Sequence, residues 1–202
     1  MIVGIILSAG ESSRMGTPKQ LLPWGEKNIL QQVLDNTSTS RLEKILLILG
    51  YRAEHIIDRI NLSSRTHIVI NNEYKKGMSS SVKCGIKNAP DDTEAFMLVL
   101  GDQPFINAAI IDKLIDCYHS GKHGIVIPVY DGKRGHPVIF DILYKDELLS
   151  ISDQGAKEVI NRHLDDILEV PVDSSNILVD IDTPQEYEKA RIRFDSSNRT
   201  EV

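Results

Sequence analysis

The sequence predicts an α/β protein built on a mostly parallel sheet with an antiparallel strand. Continuous apolar runs of strand length, such as Lys44-Ile45-Leu46-Leu47-Ile48-Leu49, alternate with stretches whose apolar residues recur at helical spacing. Strands apolar at every position suit a sheet covered on both faces, as parallel sheets are. After Gly124 the alternation breaks, and two strand-like runs follow each other with only a loop between. That spacing permits an antiparallel pair.

In chain order, Ile2-Val3-Gly4-Ile5-Ile6-Leu7 is the first strand. Ile29, Leu30, Val33 and Leu34 make a helical stripe over 28–37, with Asn28 as its N-cap. A second strand over 45–49 precedes a second stripe, Ala53, Ile56, Ile57 and Ile60. The third strand, 67–70, ends in Asn71-Asn72, and Gly77-Met78-Ser79-Ser80-Ser81-Val82 opens a helix reaching Lys87. The fourth strand, 95–100, ends in Gly101-Asp102-Gln103-Pro104. Asn107 then caps a helix that turns Ile110, Ile111, Leu114 and Ile115 inward. The pair after Gly124 is 125–130 and 138–140, followed by helices over 142–149 and 154–164. Short strands are expected at 167–172 and 177–179. Thr183-Pro184 starts a last helix running to Phe194. One domain over 1–195 with a frayed polar tail over 196–202 is the expected organisation.

At 202 residues, 41% hydrophobic and 26% charged, the chain has the composition of a soluble globular protein with a substantial core. Its apolar stretches fall short of a membrane span, and Met1 leads into the first strand with no room for a signal peptide. Cys84 and Cys117 show neither CxxC pairing nor metal spacing. A cytoplasmic protein with reduced thiols is expected. The net charge of −6, without a basic stripe, argues against a nucleic-acid partner. An acidic chain that binds a triphosphate needs a divalent metal and a few well-placed cations.

All parallel strands deliver their C-terminal ends to one edge, so Ser8, Asn71, Gly101 and Asp180 are expected on one rim. The loop leaving the first strand holds Ala9, Gly10, Arg14, Gly16 and Lys19. Small residues let backbone N–H groups approach a phosphate, and the cations add charge. The spacing matches neither the ATPase loop nor the dinucleotide fingerprint. Asp102, at the end of an apolar strand, suits Mg2+ held by one carboxylate plus substrate phosphates; an aspartate that merely closes a turn is the plainer reading. Asp182 is favoured over Asp180 as a second carboxylate because it also sits at a helix N-terminus, although that position alone can explain it. The Gly77–Ser81 turn offers N–H groups and hydroxyls to a base or ribose, Ser81 first, where a simple cap needs only one serine. Arg134-Gly135-His136-Pro137 opens a strand that, if antiparallel, begins at the same rim and faces a second substrate. Lys83 and Lys87 read as a solvated face, and His55, His67, His119, His123 and His163 as structural or surface residues.

The string Ala-Gly-x-x-x-Arg-Met-Gly-x-Pro-Lys-x-Leu-Leu over 9–22 resembles the signature loop of nucleotidyltransferases, with every fixed position present. Gly77-Met78-Ser79-Ser80-Ser81, Gly101-Asp102-Gln103-Pro104, Arg134-Gly135-His136-Pro137, Asp153-Gln154-Gly155-Ala156 and Asp180-Ile181-Asp182-Thr183-Pro184 extend the likeness over nearly the whole chain. The chain looks like the molybdenum cofactor cytidylyltransferases. The related guanylyltransferase branch typically has Gly-Gly at Ala9-Gly10 and lacks Gly-His-Pro; Ser8, where the family more often has alanine, is a small departure. The resemblance implies a three-layer Rossmann-like nucleotidyltransferase fold and transfer of CMP from CTP to the terminal phosphate of a molybdenum-loaded molybdopterin. It implies catalytic roles for Arg14, Lys19 and Asp102, and nucleotide contacts from Leu7, Ser8, Ala9, Gly10, Asn71, Gly77, Met78, Ser81 and Gly101. Gln103, Arg134 and His136 would face the pterin, and Mg2+ would lie on Asp102 and Asp182. A molybdenum hydroxylase would receive the product. Three alternatives stay open: cytidylyl or uridylyl transfer to a sugar or polyol phosphate, guanylyl transfer to the same pterin, and a pterin-dinucleotide chaperone without catalysis.

Overall fold

A computed structural model describes residues 1–199. The chain runs through β1 (Ile2–Ser8), β2 (Pro23–Trp24), β3 (Lys27–Asn28), α1 (Ile29–Ser38), β4 (Lys44–Leu49), α2 (Ala53–Ile57) and β5 (Thr66–Ile70). It continues with α3 (Met78–Lys87), β6 (Ala95–Leu100), α4 (Ala108–Ser120), β7 (Ile125–Tyr130), β8 (Lys133–Arg134) and β9 (Val138–Asp141). The last elements are α5 (Lys145–Ser150), α6 (Lys157–Arg162), β10 (Ile167–Pro171) and α7 (Pro184–Arg199). Among the described residues these form one eight-stranded sheet in the order β10-β7-β9-β6-β1-β4-β5, with β8 paired to β7, and a small β2-β3 ribbon. Neighbouring β1, β4, β5 and β6 are parallel, as are β7 and β10. β9 is antiparallel to both β6 and β7. The predicted mixed α/β sheet is therefore the observed one.

Alternate residues of the central strands bury against two helical layers. Ile2 and Ile6 join α1 and α4 through Leu30, Leu34, Ile111 and Leu114 on one face. Val3 and Ile5 join α3, α5 and α6 through Val82, Ile86, Leu148 and Val159 on the other. Each fully buried Ile or Leu contributes about 1.5–3 kcal/mol, so these two faces dominate stability. The expected caps are made: Asn28 Oδ1 accepts from Gln31 N at 2.8 Å and Asn107 Oδ1 from Ile110 N at 3.1 Å. At the start of α7, Thr183 and Glu186 bond reciprocally, Thr183 N to Glu186 Oε2 at 2.8 Å and Glu186 N to Thr183 Oγ1 at 3.3 Å.

Five expectations need correction. Helix α2 ends at Ile57 rather than near Ile60. The stretch expected as a helix over 142–149 starts as a 3-10 turn, Ile142–Tyr144, because Asp141 Oδ1 accepts from Leu143 N. The stretch over 154–164 yields only α6, six residues long. Residues 177–179 are not a strand: Ser174 Oγ accepts from Asn176 N and starts a 3-10 turn, Ser175–Leu178. Helix α7 continues past Phe194 to Arg199, while the remainder of the expected frayed tail, 200–202, lies outside the described residues. The β2-β3 ribbon was not expected, since two-residue strands carry no periodicity. It carries Trp24, 1% exposed, onto Phe105 and Phe194 at ring separations of 5.2 and 4.9 Å. Among the described residues no helix is long and apolar enough to cross a membrane.

Candidate active site

The loop after β1 is closed by a side chain the sequence did not single out. Gln20, 2% exposed, donates from Nε2 to the carbonyls of Ser8 at 3.1 Å and Gly10 at 3.4 Å, and its Oε1 accepts from Ser12 Oγ at 3.3 Å. Ser12 Oγ also accepts the Lys19 N–H at 3.1 Å. Both ends of the loop are tied, and Lys19 is carried to the centre of the rim.

There the Lys19 ammonium bridges two carboxylates, donating to Asp102 Oδ2 and, at 2.7 Å, to Asp182 Oδ1. Arg14 Nη2 reaches Asp182 Oδ2 at 3.0 Å. Burial disfavours the Lys19 cation, but Asp102 and Asp182 outweigh it and hold its pKa above the ordinary lysine value. Asp182 resists ionisation through burial, yet Lys19 and Arg14 bring its carboxyl below the usual range. Burial and then the Asp102 charge push Asp180 upward, against the hydrogen bond it receives from Gln103. Asp102 Oδ1 is buried without a protein partner.

These groups line a cavity of about 330 Å³ together with Leu7, Ser8, Ala9, Gly10, Gly77, Met78, Ser81 and Gly101, all named from the sequence. Gly77 has φ +86°, a conformation only glycine adopts without strain, and so turns the chain sharply into α3. Gln20, Tyr74, Leu100 and Asp180 complete the lining. Tyr74 was missed; its one signal was a lone aromatic three residues before Gly77.

Two named residues support the site from behind. Asn71 is 3% exposed and does not line the cavity; its Nδ2 donates to Ser80 Oγ at 2.9 Å and Ser81 Oγ at 3.0 Å, fixing the serine that does. Gln103 is 2% exposed, and its Nε2 donates to Asp180 Oδ1 at 2.6 Å. Neither side chain lines either of the two cavities at the site, so what the structure shows for both is support of the lining residues. The strand ends reach the rim, but successive side chains point to opposite sides.

Arg134 and His136 line a second cavity of about 400 Å³ that shares Leu7, Met78 and Leu100 with the first. Its walls include Leu98, Ile127, Val138 and Phe140, with Lys157 and Asn161 from α6 opposite the loop. Arg134 Nε is paired with Glu169 Oε1 at 2.7 Å. The His136 residue keeps some surface, but its Nδ1 is fully shielded and unpartnered. Burial lowers its pKa to about 4, so the ring is neutral at pH 7. A histidine whose folded pKa lies below its unfolded value costs stability as pH falls from 6.5 towards 4. Urea unfolding between pH 7 and 4.5 should show wild type losing up to about 1.4 kcal/mol per pH unit more than His136→Asn. Parallel slopes for the two proteins would contradict a neutral buried imidazole.

The oxygen-only set Asp102, Asp180 and Asp182, with one buried unpartnered oxygen, has the chemistry a hard divalent cation takes. Among the described residues no group of three or more His, Cys, Asp or Glu side chains is placed to hold a metal unaided. A cation held here would have to take its remaining ligands from elsewhere, as Mg2+ does where it uses one or two carboxylates plus phosphate oxygens.

A family model described as the MobA-like NTP transferase domain matches residues 4–167. The molybdenum cofactor cytidylyltransferase of Escherichia coli K12 is 28% identical over 193 residues, 94% of this chain and 95% of that protein. The purine catabolism protein PucB of Bacillus subtilis 168 is 25% identical over 94% of this chain and 96% of its own. Among solved structures, Rv0371C of Mycobacterium tuberculosis H37Rv in complex with manganese superposes with a TM-score of 0.80 at 26% identity, covering 93% of this chain and 96% of that one.

Proposed function

Since the chain belongs to the MobA-like NTP transferase domain family and is a nucleotidyltransferase by fold and sequence, we propose that it transfers CMP from CTP to the terminal phosphate of a molybdenum-loaded molybdopterin. Pyrophosphate is released. The observation that carries this reading is the adjacency of the two cavities, one setting Arg14 and Lys19 among the carboxylates of Asp102, Asp180 and Asp182 beside the small-residue loop, the other apolar-walled and lined also by Arg134, His136 and Lys157. The first suits a triphosphate and the second a flat heterocycle that bears a phosphate. The cytidylyltransferase named among the relatives supports CTP as donor and the pterin as acceptor.

The pterin phosphate oxygen attacks the α-phosphorus of CTP as the bond to the β-phosphate oxygen breaks, and pyrophosphate leaves with that electron pair. The attacking phosphate is already anionic, so no general base is needed; orientation and charge neutralisation carry the rate. Backbone N–H groups of the Ala9–Gly10 loop hold the phosphates, and Lys19 and Arg14 offset charge growing on the leaving pyrophosphate. Asp102 and Asp182 would hold Mg2+, which would supply further charge neutralisation for the phosphates; that Rv0371C has been solved in complex with manganese supports a divalent-ion requirement. Ser81 and the α3 N-terminus contact the nucleoside, and Arg134 and His136 the pterin.

The test is nucleotide competition. Thermal shift with CTP, GTP, ATP and UTP, each with and without Mg2+, should give the largest stabilisation for CTP with Mg2+; at a hundredfold excess over Kd it amounts to about 2.7 kcal/mol. Pyrophosphate should then appear only when pterin is added. A larger GTP shift would move the reading to guanylyl transfer, and turnover with a polyol phosphate but not with pterin would replace the acceptor.

A further inference from the structure

The turn Ser175–Leu178 lines neither cavity, yet both sides of the site are fastened to it. The Ile177 carbonyl accepts from His136 N at 3.2 Å, and Gln103 Nε2 lies 3.5 Å from the same oxygen. From the acceptor side, a Cβ on Gly135 would sit 2.3 Å from that oxygen and 2.8 Å from Ile177 Cβ, so the loop rests on this peptide with no space for a side chain. From the nucleotide side, Gln103 Nε2 donates to Asp180 Oδ1 at 2.6 Å. The amide NH2 has two protons to offer these two acceptors, and the reversed amide would face Asp180 with a carbonyl oxygen.

We propose that Gln103 is a positioning residue: it and the Gly135–His136 segment both seat on the Ile177 peptide, and this shared anchor sets the acceptor loop and the Asp180 carboxylate at a fixed spacing. Neither residue is required to touch the reacting atoms. A change on one side is therefore transmitted to the other. This inference rests on reading the two cavities as nucleotide and acceptor sites. It departs from the direct contact that the sequence suggested for Gln103.

The test combines Gln103→Leu and Gly135→Ala with two readouts. In amide hydrogen exchange of the full chain, both variants should speed exchange at His136 N–H roughly tenfold relative to the protected amides of β1 and β4. In steady-state assays with CTP, Mg2+ and pterin, Gln103→Leu should raise both Michaelis constants several-fold. Gly135→Ala, although it lies in the acceptor cavity, should raise the CTP constant as well. Unchanged His136 exchange in Gln103→Leu overturns the linkage whatever the enzyme does. Faster exchange with an unmoved CTP constant in both variants overturns the positioning role. If wild type releases no pyrophosphate from CTP and pterin, the substrate reading fails instead, and the exchange result alone decides the linkage.

Discussion

Replacing Asp102 by asparagine is expected to lower kcat/KM for nucleotidyl transfer by at least about a hundredfold, roughly 3 kcal/mol of transition-state stabilisation, while leaving the melting temperature almost unchanged. Asparagine keeps the size of the side chain and still offers an oxygen to Lys19, which also retains Asp182 at 2.7 Å. What is lost is the negative charge of a carboxylate that lines the cavity and has one buried, unpartnered oxygen. Steady-state kinetics beside calorimetric melting separates the two effects. A variant within a few-fold of wild type would remove Asp102 from the chemistry.

Lys19→Met should do damage of both kinds. It withdraws the ammonium that bridges Asp102 and Asp182 and leaves three carboxylates with Arg14, whose side chain is 65% exposed, as the nearby cation. Breaking a largely buried pair costs on the order of 3 kcal/mol, and loss of the charge facing the triphosphate about a hundredfold or more in kcat/KM. The stability loss has a pH signature. Asp182 has its carboxyl held down in the folded wild type, so its contribution is present above the unfolded carboxylate value and fades as pH falls through the lower folded one. Wild type and Lys19→Met should differ most near neutrality and converge below about pH 4. A gap that stays constant down to pH 3 would show that the lost stability is packing rather than charge.

The long apolar runs made the sheet readable before any coordinates, because a strand covered on both faces has no other use for six consecutive aliphatic residues. Rim membership followed from the same reasoning for Ser8, Gly101 and Asp102, which lie where strand direction puts them; Asp182 lines the same cavity but is delivered by the segment after the Ser175–Leu178 turn rather than by a strand. Side-chain direction did not follow. Asp102 faces the cavity while adjacent Gln103 faces the core, and Asn71 turns back to hold Ser81. Residues 177–179 look like a strand by composition, but Ser174 offers the backbone a local hydrogen bond that starts a turn instead. Gln20 occupies the variable position in the Pro-Lys-x-Leu-Leu string, and only the folded loop reveals that it ties Ser8 and Gly10 together.

The reversed strand β9 has an evolutionary corollary. Because Val138 pairs with Leu98 as β9 enters the sheet, the peptide that borders the acceptor pocket precedes a strand instead of following one. It belongs to a hairpin-like excursion that is separate from the segments handling the triphosphate. Rewriting the part of that excursion ahead of Gly135 would reshape the recipient side, a modular route to new specificities, as long as Gly135 and His136 keep their seat on the Ile177 peptide that ties them to the donor side.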